Sequence, residues 1–242
     1  MIYGIHPVME ALRAGKEFDR VFIHRGAKGE GMLQVKKSLK ENGILWQEVP
    51  VEKLDRLTRK NHQDIVAFIS PIAYQPLEEV VPALFEQGLT PLLLVLDRIT
   101  DVRNFGAIAR TAECAGVHAI VIPQRGAASV TADAIRASAG ALNRIPVCRV
   151  PDLRAASLFL RDSGIVLAAA TEKASDLYFD ADLSMPLAVV MGSEEDGIST
   201  EMMRTCDRLL RIPMLGNVGS LNVSVAAGIL LFESVRQRWK KS

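Results

Sequence analysis

The chain has 242 residues, of which 49% are hydrophobic and 24% charged, and its formal net charge is +1. That length allows one large domain or a small domain joined to a medium one, and the composition is that of an ordinary globular protein. No apolar run approaches the roughly 18 residues of a membrane helix, and a charge this close to zero does not by itself point to a nucleic-acid binder.

The charge is unevenly spread: residues 1–75 carry 12 Lys and Arg against 9 Asp and Glu. The excess permits a locally basic face. Met1-Ile-Tyr-Gly-Ile-His-Pro lacks the basic segment, apolar stretch and cleavage site of a signal peptide. Cys114, Cys148 and Cys206 are odd in number and far apart, which points to reduced thiols and a cytoplasmic location.

In chain order, residues 1–70 read as a small α/β unit. Pro7 suits a first helical turn and Gly15 can end that helix. Val21–His24 is predicted as a strand and Met32–Asn42 as a helix stopped by Gly43. Ile44–Val49 and Ile65–Ser70 are predicted strands, with a short helix at Val51–Thr58 between them. Pro71 to Pro76 reads as a linker. A helix at Leu77–Gln87 follows, ended by Gly88. Leu92–Leu96 is an uninterrupted apolar run of the kind buried on both faces of a parallel sheet. Similar runs recur at Ala119–Ile122, Ile145–Val150, Ile165–Ala170, Leu187–Met191 and Leu209–Ile212. Helical patterns alternate with them at Asn104–Cys114, Thr131–Ala137, Leu153–Asp162, Thr200–Thr205 and Leu221–Trp239. This alternation predicts an open parallel sheet with helices on both sides.

In such sheets ligands bind beyond the carboxyl ends of strands, and three polar segments fit that position. In the first, Asp97 to Arg110, Asn104 could cap the helix and Gly106 would allow close backbone approach. Arg110, nearly two turns further on, would lie on roughly the same side as Asn104, and its guanidinium suits a phosphate or carboxylate. In the second, Gly192–Gly197, Glu194 follows a buried strand. In the third, Ile212–Ser224, Ser220 and Asn222 flank Leu221 and could cap the last helix or leave its N–H groups free for a ligand. Each feature also has a plain reading: Asn104 and Ser220 as caps only, Arg110 as a surface residue, Glu194–Asp196 as a solvated turn, the cysteines as buried hydrophobes. The four histidines show no zinc-ligand spacing, and no metal site is expected. Dinucleotide and Walker A fingerprints are absent.

Together the segments are far more specific. Asn104-Phe-Gly-Ala-Ile-Ala-Arg110-Thr-Ala, Met191-Gly-Ser-Glu194-Glu-Asp-Gly197 and Ile212-Pro-Met-Leu-Gly-Asn-Val-Gly-Ser220-Leu-Asn222-Val-Ser resemble, in order and position, the three motifs of the SpoU (TrmH-like) RNA 2′-O-methyltransferases. The opening Met1-Ile-Tyr-Gly-Ile-His-Pro-Val and the stretch Leu-Phe-Glu-Ser-Val-Arg-Gln-Arg at 231–238 look like the RlmB branch, which methylates a guanosine ribose in 23S rRNA.

The resemblance implies an α/β fold in three parts. Residues 1–70 would form a ribosomal-protein-like domain that binds substrate RNA, and 71–88 a linker and first helix. Residues 89–242 would form a parallel-sheet methyltransferase domain with a C-terminal deep trefoil knot, one of the rare threaded folds. It implies S-adenosylmethionine as cofactor, 23S rRNA as partner and a homodimer through the knotted domain, with no membrane or DNA partner. By position, Gly192, Ile212 and Leu221 would contact the cofactor, with Met191, Met214 and Ser220 beside them. Asn104, Arg110, Glu194, Ser220 and Asn222 match the family's functional polar positions, Arg110 being the one most often assigned to catalysis. Two positions depart from the pattern: Val102 stands where the family commonly has proline, followed by Arg103, and Asn143 stands where relatives often have glutamate. A tRNA enzyme of the same family and a non-catalytic rRNA-binding protein are the rival readings.

Overall fold

The computed structural model describes residues 1–241. The chain divides into two compact units, Met1–Ala73 and the remainder from Tyr74. The first contains β1 (Ile2–Tyr3), α1 (Ile5–Arg13), β2 (Phe18–His24), α2 (Glu30–Glu41), β3 (Gln47–Val49), α3 (Val51–Leu57) and β4 (Ile65–Ile69). Its sheet runs in the order β1-β4-β2-β3, antiparallel except for the β2–β3 pair. Alternation along β2 sends Val21 and Ile23 to one face and Phe22 to the other. The first face packs against Val8 and Leu12 of α1 and Met32, Val35 and Leu39 of α2. On the other face Phe22, Val49 and Val66 pack under Leu54 of α3. The N-cap of α1, Gly4, has no side chain to offer, and the Oε1 of Gln63 accepts the Ile5 N–H instead at 3.0 Å.

The second unit contains α4 (Leu77–Glu86), β5 (Leu92–Leu96), α5 (Val102–Cys114), β6 (Ala119–Pro123), α6 (Ala132–Ala137), a 3-10 turn at Ala141–Asn143, β7 (Val147–Val150) and α7 (Leu153–Asp162). It continues with β8 (Val166–Ala170), β9 (Asp176–Leu177), β10 (Leu187–Met191), α8 (Thr200–Thr205), β11 (Arg208–Arg211) and α9 (Val223–Lys241). The sheet order is β7-β6-β5-β10-β8-β11-β9, and every pair is parallel. β5 and β10 are buried throughout, as their apolar runs require. β10 lies between β5 and β8, pairing Leu187 with Leu92 and Met191 with Leu96, so β5 and β10 end level.

The expected parallel α/β sheet and small N-terminal unit are present, and the differences have local causes. The two-residue strands β1 and β9 are too short for periodicity to reveal. The division falls at Ala73, within the expected linker and first helix of 71–88, and that helix, α4, packs on the second unit: Leu77, Val81 and Leu84 belong to its core. Even the end of the expected linker is docked on that unit, since Gln75 N–H donates to the Val147 carbonyl at 3.0 Å and Arg149 lies 4.1 Å over the Tyr74 ring.

Gly106 allows a close approach, but to a neighbouring helix. A Cβ there would stand 2.4 Å from the Ala137 Cβ and 3.0 Å from the Ala134 carbonyl oxygen of α6. Gly106→Ala is therefore expected to destabilise the protein by about 1–3 kcal/mol, the range for overpacking, despite alanine's higher helix propensity. Urea unfolding of the two proteins checks the sign.

Candidate functional site

The three polar segments meet beyond the carboxyl ends of β5 and β10. The first is shaped by Asp101, whose Oδ1 accepts the N–H groups of Arg103 at 2.7 Å and Asn104 at 2.9 Å. Asp101, not Asn104, is thus the N-cap of α5. With that task taken, Asn104 sits within the first turn and its amide is free to project. Val102 occupies the first helical position, where proline's fixed φ would also be tolerated.

The second segment is a closed turn. Ser193 and Gly197 exchange backbone hydrogen bonds at 3.1 and 2.9 Å, and the Asp196 N–H donates to Ser193 Oγ at 3.1 Å. Gly192 must be glycine: a Cβ there would lie 2.1 Å from the Gly197 carbonyl carbon and 2.2 Å from the Ile198 nitrogen. Behind it Met191 is only 3% exposed, and its carbonyl accepts the Asp97 N–H at 2.8 Å. Met191 therefore lies in the core and anchors Gly192, its side chain turned away from the loop surface. Asp97, also buried, accepts the Ser199 N–H at 2.7 Å and ties the far end of the loop to β5.

Of the two cap candidates in the third segment, Ser220 and Asn222, the second is the one used. Asn222 Oδ1 accepts from the Ser224 N–H at 2.9 Å and from the Ser224 hydroxyl at 2.5 Å, so it caps α9. That bond fixes the amide orientation, leaving its NH2 group to donate.

These loops converge on one carboxylate. Asn104 Nδ2 donates to Glu194 Oε2 at 2.8 Å, Asn222 Nδ2 donates to Glu194 Oε1 at 2.6 Å, and Asn222 Nδ2 also donates to Asn104 Oδ1 at 3.0 Å. Each motif contributes one corner of a triangle of hydrogen bonds. Beside it opens a cavity of about 430 Å³ lined by Ile99, Thr100, Asp101, Asn104, Ser193, Glu194, Glu195 and Val223. That volume falls within the range of small-molecule sites.

Other expected residues stand apart from the triangle. Arg110 is exposed, does not line the cavity, and has no hydrogen-bond or ion-pair partner among the described residues. Six residues correspond to about 600° of helical turn, which leaves Arg110 about 120° round α5 from Asn104 rather than on the same side. It shares its face instead with Arg103, seven residues earlier and also exposed. Ser220 is exposed, two residues short of α9, and caps nothing. Ile212 is half-buried, while Met214 and Leu221 are each 37% exposed and Leu215 99% exposed. Residues 213–221 make no backbone–backbone hydrogen bond among the described residues, so their peptide groups are open to a ligand or partner.

Asp97, Asp101 and Ser224 escaped the sequence reading. For Asp101 the signal was present, an aspartate directly before a helical pattern. Thiol nucleophiles are not offered by Cys148 and Cys206, since burial pushes both up to about 12. No metal-binding group of His, Cys, Asp and Glu occurs among the described residues. Nor is any helix there long and apolar enough to cross a membrane.

The chain resembles known proteins along nearly its whole length. Residues 91–232 match the SpoU rRNA methylase family, and residues 1–75 match the family described as RNA 2′-O ribose methyltransferase substrate binding. A Vibrio parahaemolyticus protein named 23S rRNA (guanosine-2′-O-)-methyltransferase RlmB is 39% identical over 239 residues, covering 98% of this chain and 96% of the relative. The AdoMet-bound rRNA methyltransferase from Sinorhizobium meliloti superposes with a TM-score of 0.62 at 28% identity, over 97% of this chain and 86% of its own. A TrmH/SpoU tRNA modifying enzyme from A. aeolicus gives a TM-score of 0.58 at 28% identity, over only 68% of this chain and 85% of its own.

The triangle is solvent-exposed, so its bonds define geometry more than stability. Glu194→Ala is expected to shift the unfolding midpoint little, since exposed polar pairs contribute about 1 kcal/mol or less. The side-chain amide resonances of Asn104 and Asn222 should nevertheless move, as NMR of the two proteins will read.

Proposed function

The chain belongs to the SpoU rRNA methylase family and is an RNA 2′-O-methyltransferase that uses S-adenosylmethionine, and we propose that its target is a guanosine ribose in 23S rRNA. The convergence of Asn104, Glu194 and Asn222, one from each motif, is the observation that carries the activity. The choice of 23S rRNA is supported by full-length similarity to the Vibrio relative and by the substrate-binding match over residues 1–75. The tRNA modifying enzyme covers a share of this chain close to that of the second unit alone, which supports assigning target choice to the first.

The residues present fit the cofactor. Its adenine requires apolar walls and backbone partners, which the part-exposed Ile212, Met214 and Leu221 and the unpaired peptides of 213–221 can offer. Gly192, with no side chain, lets the loop close on its own backbone at Gly197 and Ile198, and the Glu194 and Glu195 carboxylates at the cavity suit a sulfonium cation. When bound, S-adenosylmethionine supplies the methyl group for in-line attack by the ribose 2′-oxygen.

The chain must bind the RNA, orient the hydroxyl and stabilise the charge it develops. Arg110, exposed and without a hydrogen-bond or ion-pair partner among the described residues, is assigned to grip the adjacent phosphate and to stabilise negative charge on the 2′-oxygen. A guanidinium offers donors and no acceptor, which makes it unsuitable as a base, so phosphate or water takes the proton. Arg103 adds a second guanidinium about 10 Å along the same helix face. Glu194 holds both amides, leaving one Asn104 N–H for the substrate side.

In the first unit, Lys53 Nζ lies 4.6 Å over the Phe22 ring and Lys60 Nζ 5.9 Å over Tyr3, with Arg56 and Arg59 exposed nearby in sequence. Basic groups over aromatic rings on the α3 face support RNA contact there. A homodimer is part of the same reading. Val225, Phe232 and Trp239 are 50%, 49% and 80% exposed at seven-residue spacing along α9, an apolar stripe suited to a second copy of the chain. So is the knot, supported by the return of the chain after β8 to fill the slot between β5 and β8. The activity and the target RNA belong to the cytoplasm.

The test is to incubate unmodified 23S rRNA with labelled S-adenosylmethionine and digest the product. A nuclease-resistant 2′-O-methylated guanosine dinucleotide is expected. Transfer to tRNA instead would favour the second reading, and absence of transfer to either would overturn the proposal. Arg110→Lys is expected to lose at least about tenfold in single-turnover rate, because charge without the planar fork does not hold a phosphate in the same way. Replacing Lys53 and Lys60 together by alanine should weaken RNA binding and leave cofactor binding intact.

A further inference from the structure

Arg98 follows β5 with φ of 61°, in the left-handed region that favours glycine. Among the described residues, the other non-glycine positions with positive φ are Gln63, Asp64 and Ala139, none of which borders the triangle. A long side chain kept at such a position has to contribute something that glycine would lack.

Its contribution is visible in the second loop. Arg98 NH1 donates to Asp196 Oδ2 at 3.3 Å, and NH2 donates to the Gly197 carbonyl at 3.1 Å. The same carbonyl accepts the Ser193 N–H, so the guanidinium grips the turn at its closing bond. Arg98 Nε is buried without a hydrogen bond, 3.6 Å from the Asp97 carboxylate, which offsets the charge. The turn is thereby tied to the β5–α5 segment at two places. Asn104 holds it through Glu194 on one side, and Arg98 through Asp196 and Gly197 on the other.

We propose that Arg98 is a positioning residue that holds the 192–198 loop in its cofactor-ready form before RNA arrives. The inference rests on the reading of that loop as part of the S-adenosylmethionine site. A loop already ordered has less freedom to lose when the cofactor binds, so affinity rises without any contact from Arg98 to the cofactor. The guanidinium fork is suited to this, since one planar group reaches a carboxylate and a carbonyl at once. A lysine could satisfy only part of the arrangement.

Calorimetric titration of the full-length protein with S-adenosylmethionine, without RNA, tests the proposal. Arg98→Gly, which adopts the same φ freely, is expected to keep the unfolding temperature within a few degrees of the parent. Its cofactor Kd should rise on the order of tenfold, as for loss of a charge-assisted hydrogen bond, with Kd for RNA unchanged. In turnover, KM for the cofactor should rise while kcat at saturating cofactor is retained. Arg98→Lys should fall between the two. Asp196→Ala should weaken cofactor binding less, and should add nothing to Arg98→Gly. An unchanged cofactor Kd in Arg98→Gly would overturn the proposal, as would a loss matched by equal loss of RNA affinity. If Arg98→Gly does not fold, Asp196→Ala decides, because it leaves the backbone at position 98 untouched, and an unchanged Kd there is equally fatal. A parent protein that binds RNA but no S-adenosylmethionine would overturn the cofactor reading itself, and this inference with it.

Discussion

β10 sits between β5 and β8 with both of its edges laddered, and the site is built on that placement. Two ladders leave a strand no freedom of register. Met191 is therefore held level with Leu96, and Asp97 N–H meets the Met191 carbonyl at 2.8 Å. Two loops that leave the sheet side by side, one opening into α5 and the other closing into a turn, follow directly. Burial of every β5 and β10 residue makes the platform rigid, so that loops above it can be arranged to a fraction of an ångström.

On that platform the chain separates its charges. A single carboxylate, Glu194, is held by two neutral amides and not by a cation. Pairing Glu194 with an arginine would have neutralised a guanidinium that RNA can use. Arg103 and Arg110 remain exposed on another face of α5, about 100–120° round from Asn104. Arg98, which does engage the loop, takes Asp196 and a carbonyl, leaving Glu194 to the amides. Exposed bonds of this kind contribute little to overall stability, and they orient groups for a ligand.

The third motif is the least tied down. From 213 to 221 its peptide groups find no backbone partner among the described residues, and Leu215 and Val218 are 99% and 75% exposed. Only at Asn222 is the segment caught, by the cap of α9 and by Glu194. Segments with few buried contacts open most easily, which suits a loop that must close on a ligand. The exposed stripe of α9, at Val225, Phe232 and Trp239, follows it in sequence.

Much of this was legible in the chain itself, and the misses are instructive. Leu92–Leu96 and Leu187–Met191 read as buried strands, and Leu153–Asp162 and Thr200–Thr205 as helices, because apolar runs and caps are local signals. The strands β1 and β9 were invisible because two residues carry no periodicity. Asn104 is a plausible cap by residue type, yet Asp101 caps α5, and of the two candidates at the last helix, Ser220 and Asn222, it is Asn222 that caps, a matter of which backbone N–H each side chain can reach. Arg110 belongs to the motif in sequence but stands about 120° away from Asn104 round the helix. The sequence by itself determined the βα alternation, the two-unit composition and the three motifs that mark the family. Only the tertiary structure decided that Asn104, Glu194 and Asn222 touch, across separations of 90 and 118 residues, and that Arg98 clamps the turn between them. Those contacts depend on where a late strand is inserted into an existing sheet, and hydrogen bonds shorter than 3.5 Å depend on that placement in a way no local pattern encodes.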